Sequence, residues 1–217
     1  MPESLQATRI IAVRHGETAW NVDARIQGQL DIPLNDRGRW QAQRLARALA
    51  AREPLAALYS SDLQRARDTA QAIADATGLS VVPELGLRER GFGEFEARTF
   101  TDLENTWPEQ TSRWRQRDPD WFPPGGESLA QVRARVVRTA HVLAARHAGE
   151  QIVLVAHGGV LDALYRAATR LDIRAPRTWL LGNASINRLL WTPEGLTMVG
   201  WSDAAHLEDD WQDEVTT

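Results

Sequence analysis

Apolar and polar positions along the 217-residue chain alternate between two periods. Short continuous apolar runs read as buried strands, and stretches with apolar residues at i, i+3, i+4 and i+7 read as amphipathic helices. The first strand runs from about Arg9 to Arg14, with Ile10, Ile11, Ala12 and Val13 in succession. A helix is predicted over about Arg37 to Arg52, where Ala42, Leu45, Ala46 and Leu49 form one stripe. The run LAALYS leads into a second helix from about Asp62 to Thr77, striped by Leu63, Ala66, Ala70, Ile73 and Ala74 and closed by Gly78 as a C-cap. LSVVPE is a short strand. From Leu129 to His147 a long helix carries Leu129, Val132, Val136, Ala140 and Leu143 on one face. QIVLVAH is the cleanest buried strand, VLDALYRAAT returns as a helix, and SINRLLWTPEGLTMVGW reads as two strands about a turn at Thr192 to Gly195. This alternation predicts an α/β fold with a mostly parallel central sheet and an antiparallel edge strand.

Between Gly91 and Ser128 the alternation lapses. That stretch holds Trp107, Trp114, Trp121, Phe122, two adjacent prolines and the Gly125–Gly126 pair. It predicts a helical and loop excursion at about residues 92–128, outside the sheet. Its aromatic residues either pack the excursion onto the core or wall a pocket, and excursions of this length are commonly functional. The acidic tail, about residues 203–217, is expected to be loosely held. With no internal repeat and no low-complexity tract, residues 1–217 read as a single domain.

Composition narrows the partners. A net charge of −4 argues against a chain held to nucleic acid by a basic field. No apolar run approaches the roughly 20 residues of a spanning helix, and MPESLQATRI lacks a charged-then-apolar leader. The expectation is a soluble, cytoplasmic protein with no membrane contact, a homodimer being left open. There is no cysteine, which excludes thiolate nucleophiles and disulfides. All 25 basic side chains are arginines, so neither Schiff-base chemistry nor a P-loop lysine is available. Any bound anion must meet arginine, histidine, backbone N–H groups or neutral side chains.

Ligands of parallel α/β sheets bind beyond the carboxyl ends of the strands. His15 and His157 each follow such a strand directly and are followed by Gly16 and by Gly158 and Gly159. Arg14 precedes His15, and Arg65 falls in the first turn of the second helix, where a cation opposes the helix dipole unless an anion joins it. A phosphoryl dianion matches two forked guanidinium groups. One histidine would then attack phosphorus while the other stabilises charge on the transferring oxygens. No His-Glu-x-x-His spacing occurs, so neither metal nor cofactor is predicted. The aspartates of RDPDW follow no apolar strand and read as loop residues. His141, His147 and His206 read as surface or helix-end residues.

The blocks RHGETAWN (Arg14 to Asn21), QG (Gln27, Gly28), SSDLQRARDTA (Ser60 to Ala70), LRERGFGEFE (Leu87 to Glu96), PGGES (Pro124 to Ser128) and VAHGG (Val155 to Gly159) resemble the histidine phosphatase superfamily. More closely, they resemble its phosphoglycerate-mutase-like branch of small bacterial phosphatases. The resemblance covers residues 9 to 159 in family order and implies a three-layer α/β/α sandwich. It also implies roles: His15 as the nucleophile that becomes phosphohistidine, and Arg14, Arg65 and His157 as holders of the phosphoryl oxygens. Asn21, Gln27 or Gly28, and the backbone N–H of Gly158 would complete the pocket, and Glu89 would be the general acid. Arg88 and Arg90 flank Glu89, and cationic neighbours favour the carboxylate, the wrong form for an acid. A bound phosphate dianion would favour the protonated form, so that the acid is assembled only in the complex. Glu94 and Glu96 are alternatives for that role.

The implied activity is a phosphomonoester hydrolase acting on a small phosphorylated metabolite. The first alternative is a cofactor-dependent phosphoglycerate mutase. Mutases of this superfamily are generally longer, bring a lysine to the substrate carboxylate and carry tyrosine where Phe92 stands. A silent phosphoryl-binding module is the remaining alternative, and His15, Arg65, Glu89 and His157 together argue against it.

Overall fold

The computed structural model describes residues 6–52 and 54–208. Its centre is a six-stranded sheet built from β1 (Thr8–Arg14), β2 (Ala57–Ser60), β3 (Val81–Pro83), β4 (Gln151–Ala156), β5 (Ile186–Thr192) and β6 (Gly195–Asp203). The spatial order is β3-β2-β4-β1-β5-β6. The first four of these strands pair in parallel, whereas β5 runs antiparallel to both β1 and β6. The reversed strand is therefore interior. The tight turn at Thr192–Gly195 reverses the chain once more, which makes β6 the edge and returns it to the direction of β1.

Side chains alternate across a strand, so both faces of a buried sheet need cover. Ile10 and Ala12 of β1, with Ile152, Leu154 and Ala156 of β4, pack beneath α6 (Leu129–Ala145) and α7 (Gly158–Thr169). Ile11, Val13, Val153 and Val155 face the other way, against α2 (Asp36–Ala50) and α3 (Gln64–Thr77). Three layers follow from this alternation, and each fully buried aliphatic side chain contributes about 1.5–3 kcal/mol.

Local chemistry sets the helix ends within two residues or so of the periodic pattern. Asn35 accepts the Gly38 N–H at 2.7 Å and starts α2, and Ser128 forms a capping box with Gln131 at α6. The second helix starts at Gln64, not at Asp62, because the Asp62 carboxylate is taken by Arg88. Asp31 supplies an acceptor in its place, taking the Gln64 N–H at 2.7 Å. Gly78 closes that helix in the left-handed region, φ 75°.

The stretch from 92 to 128 lies outside the sheet, as α4 (Phe100–Thr106), α5 (Pro108–Arg115), a 3₁₀ turn at Gly93–Phe95 and loops. It has its own apolar centre, in which Phe95 stacks with Trp107 and Trp114 and packs near Trp121, Leu103 and Ile26. Three of the four aromatic residues singled out above are thus packing residues, and Phe122 is half exposed. The aspartates of RDPDW fall in the loop after α5, where Asp118 pairs with Arg113. The start of the acidic tail is held: Asp203 ends β6, and the His206 carbonyl accepts the Arg44 Nε–H at 3.0 Å. Residues 209–217 lie outside the described residues. Among the described residues no helix is long and apolar enough to cross a membrane.

Gly16 and Gly38 fix how α2 meets the loop after β1. A Cβ on Gly38 would sit 2.0 Å from the Glu17 carbonyl oxygen, and one on Gly16 2.4 Å from the Gly38 carbonyl oxygen. Alanine in a helix is favoured over glycine by about 1 kcal/mol, yet here it meets backbone that cannot swing aside. Gly38→Ala should destabilise the protein by about 1–3 kcal/mol, seen as a lower urea midpoint at unchanged m-value.

Candidate active site

The parallel register of β1 and β4 pairs Arg14 with Ala156, so the next residues, His15 and His157, leave the sheet side by side. Neighbouring strands lie about 4.8 Å apart, and the two imidazole centroids are 5.2 Å apart. Both rings are buried, His15 at 3% exposure and His157 at 0%.

His15 donates from Nδ1 to its neighbour's carbonyl, Gly16 O, at 2.7 Å. A carbonyl only accepts, so the proton sits on Nδ1 and the lone pair on Nε2. Burial pushes the His15 pKa well below its ordinary value, and Arg65 and Arg14 push it further. The ring is neutral at physiological pH, with a free nucleophilic nitrogen.

His157 meets the Ser61 hydroxyl through Nε2 at 2.8 Å. Ser61 already accepts the Leu63 N–H, so its own proton is free for Nε2. With Ser61 as donor, the proton of neutral His157 sits on Nδ1, a buried atom with no partner among the described residues. Burial again leads the causes that hold this imidazole well below its ordinary pKa, followed by Arg65 and His15.

Two guanidinium groups complete the cage. Arg65 is fully buried and gives Nη2 to Gly28 O and Nη1 to Leu30 O, both at 2.8 Å. The Gln27–Gly28 block therefore orients Arg65. The turn there needs glycine at 28, where φ is 51° and a Cβ would strike the Glu96 carboxylate. Gln27 is buried, with its Oε1 unpartnered among the described residues. Arg14 gives Nη1 to Leu181 O. The Nε atoms of Arg14 and Arg65 are both buried without partners among the described residues. Desolvation lowers the pKa of each guanidinium, partly offset by Glu89. Three buried donors without partners, clustered beside a neutral nucleophile, are arranged to receive anionic oxygens.

Glu89 lies at the start of α7. The Gly159 N–H reaches both of its oxygens at 3.1 Å, and the Arg90 N–H reaches Oε1 at 2.7 Å. A Cβ on Gly159 would lie 2.2 Å from Oε1, so a larger residue there would push the Glu89 carboxylate out of this position. Gly158 opens the helix beside Arg14 and Glu89 in ordinary contact, so it is the N–H of Gly159 that the Glu89 carboxylate engages. Arg88 is turned to Asp62, whereas Arg90 donates to Glu127 O at 2.8 Å and remains, as a buried cation, in electrostatic contact with Glu89. Of the alternative acids, Glu96 is committed to the Gln29 and Phe92 N–H groups, and Glu94 is exposed.

Asn21 is tied to the site at one remove. Its Oδ1 caps the short α1 (Ala19–Val22) through Thr18 and accepts from Asn183, whose Nδ2 also donates to His15 O at 3.0 Å. Ser61 and Asn183 carry no periodic signal in the sequence. Ser61 stands within the block SSDLQRARDTA and directly after the β2 run, in the same place as the two histidines on theirs, and those are the signals that could have marked it. The remaining histidines are structural: His141 accepts the Trp191 indole N–H, His147 joins Tyr59 and Glu150, and His206 bonds Ala184 O. A groove of about 690 Å³ between α6, α7 and the β5–β6 turn contains none of the site residues.

The family model for the histidine phosphatase superfamily, branch 1, matches residues 10–204. The chain is 39% identical to phosphoglycerate mutase-like protein 4 of Arabidopsis thaliana, over 95% of this chain and 90% of that protein. It is 38% identical to the metal-independent phosphoserine phosphatase of the same plant, over 93% of this chain and 84% of that one. The solved structure of a mycobacterial glucosyl-3-phosphoglycerate phosphatase superposes with a TM-score of 0.82 at 36% identity, covering 92% of this chain and all of that one.

Both site imidazoles are held neutral in the folded state, so below pH 6.5 the unfolded chain binds more protons. Stability should fall as pH drops from 6.5 towards 5 by up to about 2.7 kcal/mol per pH unit from the two rings together. Urea titrations across that window should show a flatter pH dependence in a His15→Gln/His157→Gln double variant than in wild type. Equal slopes would contradict the buried, neutral assignment.

Proposed function

The chain belongs to the histidine phosphatase superfamily, and from that premise we propose how its residues divide the chemistry. It is a phosphatase of small phosphorylated metabolites. The observation that carries the division of labour is the neutral His15, with Nδ1 tied to Gly16 O and Nε2 free among the unpartnered donors of Arg14, Arg65 and His157.

The His15 Nε2 attacks phosphorus in line with the ester oxygen. The N–P bond forms as the P–O bond to the leaving alcohol breaks. The guanidinium groups of Arg14 and Arg65 and the Nδ1–H of His157 hold the three non-bridging oxygens, where charge is carried through the transition state. Glu89, protonated once the phosphoryl group has entered between the arginines, gives its proton to the departing oxygen. In the second half, Glu89 takes a proton from water as its oxygen attacks phosphorus; the new O–P bond forms while the Nε2–P bond breaks, which releases inorganic phosphate and returns neutral His15. Gln27 lines this pocket, Asn21 supports it through Asn183 and the His15 carbonyl, and the Gly158–Gly159 backbone lets α7 approach it. The plant relative named for phosphoserine and the mycobacterial one named for glucosyl-3-phosphoglycerate support a phosphorylated metabolite as substrate.

His15→Ala should abolish turnover and the acid-labile, base-stable phosphoryl label that a ³²P-monoester leaves on the wild type. Glu89→Gln should lower kcat on an alkyl phosphate by about 10²–10⁴-fold, and far less on p-nitrophenyl phosphate, whose leaving group needs no proton. A near-wild-type alkyl phosphatase rate in Glu89→Gln would rule out the acid assignment. Phosphate release without transfer between 2,3-bisphosphoglycerate and phosphoglycerate should separate this enzyme from a mutase.

A further inference from the structure

The groove between α6, α7 and the β5–β6 turn takes no part in the phosphatase chemistry. Its volume of about 690 Å³ falls in the range of roughly 300–1,000 Å³ typical of small-molecule sites. Two faces of α6 are in use. Val132, Val136, Ala140 and Leu143 cover the sheet, whereas Ala130, Ala134, Val137 and His141, at i, i+4, i+7 and i+11, line the groove. Ala167 of α7 stands opposite, and Leu196, at the start of β6, lies beneath.

Hydrogen bonds tie the walls to one another. At one end the Ala130 N–H donates to Pro119 O in the loop after α5, at 2.9 Å. Beyond α7, Ile173 is held through its carbonyl by Arg117 Nε, also at 2.9 Å. At the far end the Trp191 indole donates to His141 Nδ1 at 2.9 Å, and Trp191 pairs across the hairpin with Leu196. The groove is therefore preformed, and a ligand entering it has no loop to order.

The groups that border it are all donors or cations. An indole N–H only donates, so His141 Nδ1 carries no proton and the ring is the Nε2–H tautomer. That Nε2–H has no partner among the described residues. Arg138, three residues earlier on the same helix, is exposed, and Arg133 is half-buried. Neither forms a hydrogen bond or ion pair among the described residues. No carboxylate lines the groove, so its apolar floor meets an uncompensated positive rim.

We propose that this groove is a second binding site, for an amphipathic monocarboxylate whose apolar chain lies along Val137, Ala167 and Leu196 and whose carboxylate meets Arg138 and the His141 Nε2–H. A neutral apolar ligand would leave the rim unanswered, and a small anion would leave the floor exposed to water. A carboxylate on an aliphatic chain satisfies both. The stem of Arg133 flanks the chain while its guanidinium stays in water. No residue of the phosphoryl site lines the groove, so the two sites can be filled together.

The test is calorimetric titration of the full chain with octanoate, butyrate and 1-octanol, with saturating inorganic phosphate present to fill the phosphoryl pocket. Octanoate should bind saturably and at least about tenfold tighter than either other probe, since butyrate is too short to follow the floor and octanol lacks the charge. Arg138→Gln should weaken octanoate by about tenfold and leave octanol unchanged. Ala134→Trp, which fills the channel from an exposed helix position, should remove the binding of both. Turnover of p-nitrophenyl phosphate reports that each variant is folded, and the wild-type comparison decides even where one is not. Octanoate bound no tighter than octanol, or unmoved by Arg138→Gln, overturns the site. Octanoate binding that appears only when phosphate is left out overturns it too, because the acid is then in the phosphoryl pocket.

Discussion

The pairing of β1 with β4 in parallel, in the register that sets Arg14 opposite Ala156, is the constraint on which the site depends. A strand buried on both faces tolerates no slip, because a shift of one residue exchanges its two sets of side chains. Ile10 and Ala12 would then face α2 and α3, and Ile11 and Val13 would face α6 and α7. Held in register, the two strands end level and deliver two imidazoles to one point of the rim. β2 ends beside them and brings Ser61 to His157 in the same way.

The protein then has to keep two imidazoles and two guanidiniums together, away from water. Burial alone favours neutral imidazole, and the neighbouring arginines add to that effect. The same arginines cannot discharge, so they are stabilised by backbone carbonyls: Gly28 and Leu30 for Arg65, and Leu181 for Arg14. Each carbonyl comes from a loop distant in sequence, and a side chain is thereby fixed while its Nε is left for an anion. Electrostatic preorganisation of this kind needs no rearrangement when the phosphoryl group arrives. The elements outside the sheet extend the arrangement. The 92–128 stretch has its own aromatic centre, and the connection into β5 carries Leu181 and Asn183.

Much of the fold was readable from periodicity, since burial on one or both faces leaves a repeating apolar pattern. Where that pattern and a local hydrogen bond competed, the hydrogen bond set the outcome. Asp62 would serve as a helix cap by type, but its bidentate pairing with Arg88 moves the start of α3 to Gln64. A direction is a property of the whole sheet, and so the hairpin was legible while the burial of the reversed β5 between β1 and β6 was not. Arg88 and Arg90 look equivalent around Glu89 in the sequence. They point to different partners because one faces Asp62 and the other the start of α6.

By itself the sequence determined which chemical groups exist at the strand ends: His15 and His157 with glycine behind them, arginine as the sole cation, and neither cysteine nor lysine. It also determined that the strands between those groups are buried, because a continuous apolar run has no other place to go. Only the tertiary structure decided which nitrogen of His15 is free, which donors are left unpartnered among the described residues, and that Ser61 and Asn183 belong with them. The physical reason is that, apart from the bond of His15 to its neighbour Gly16, these hydrogen bonds join residues tens to more than a hundred positions apart, follow from register and packing, and leave no periodic trace in the chain.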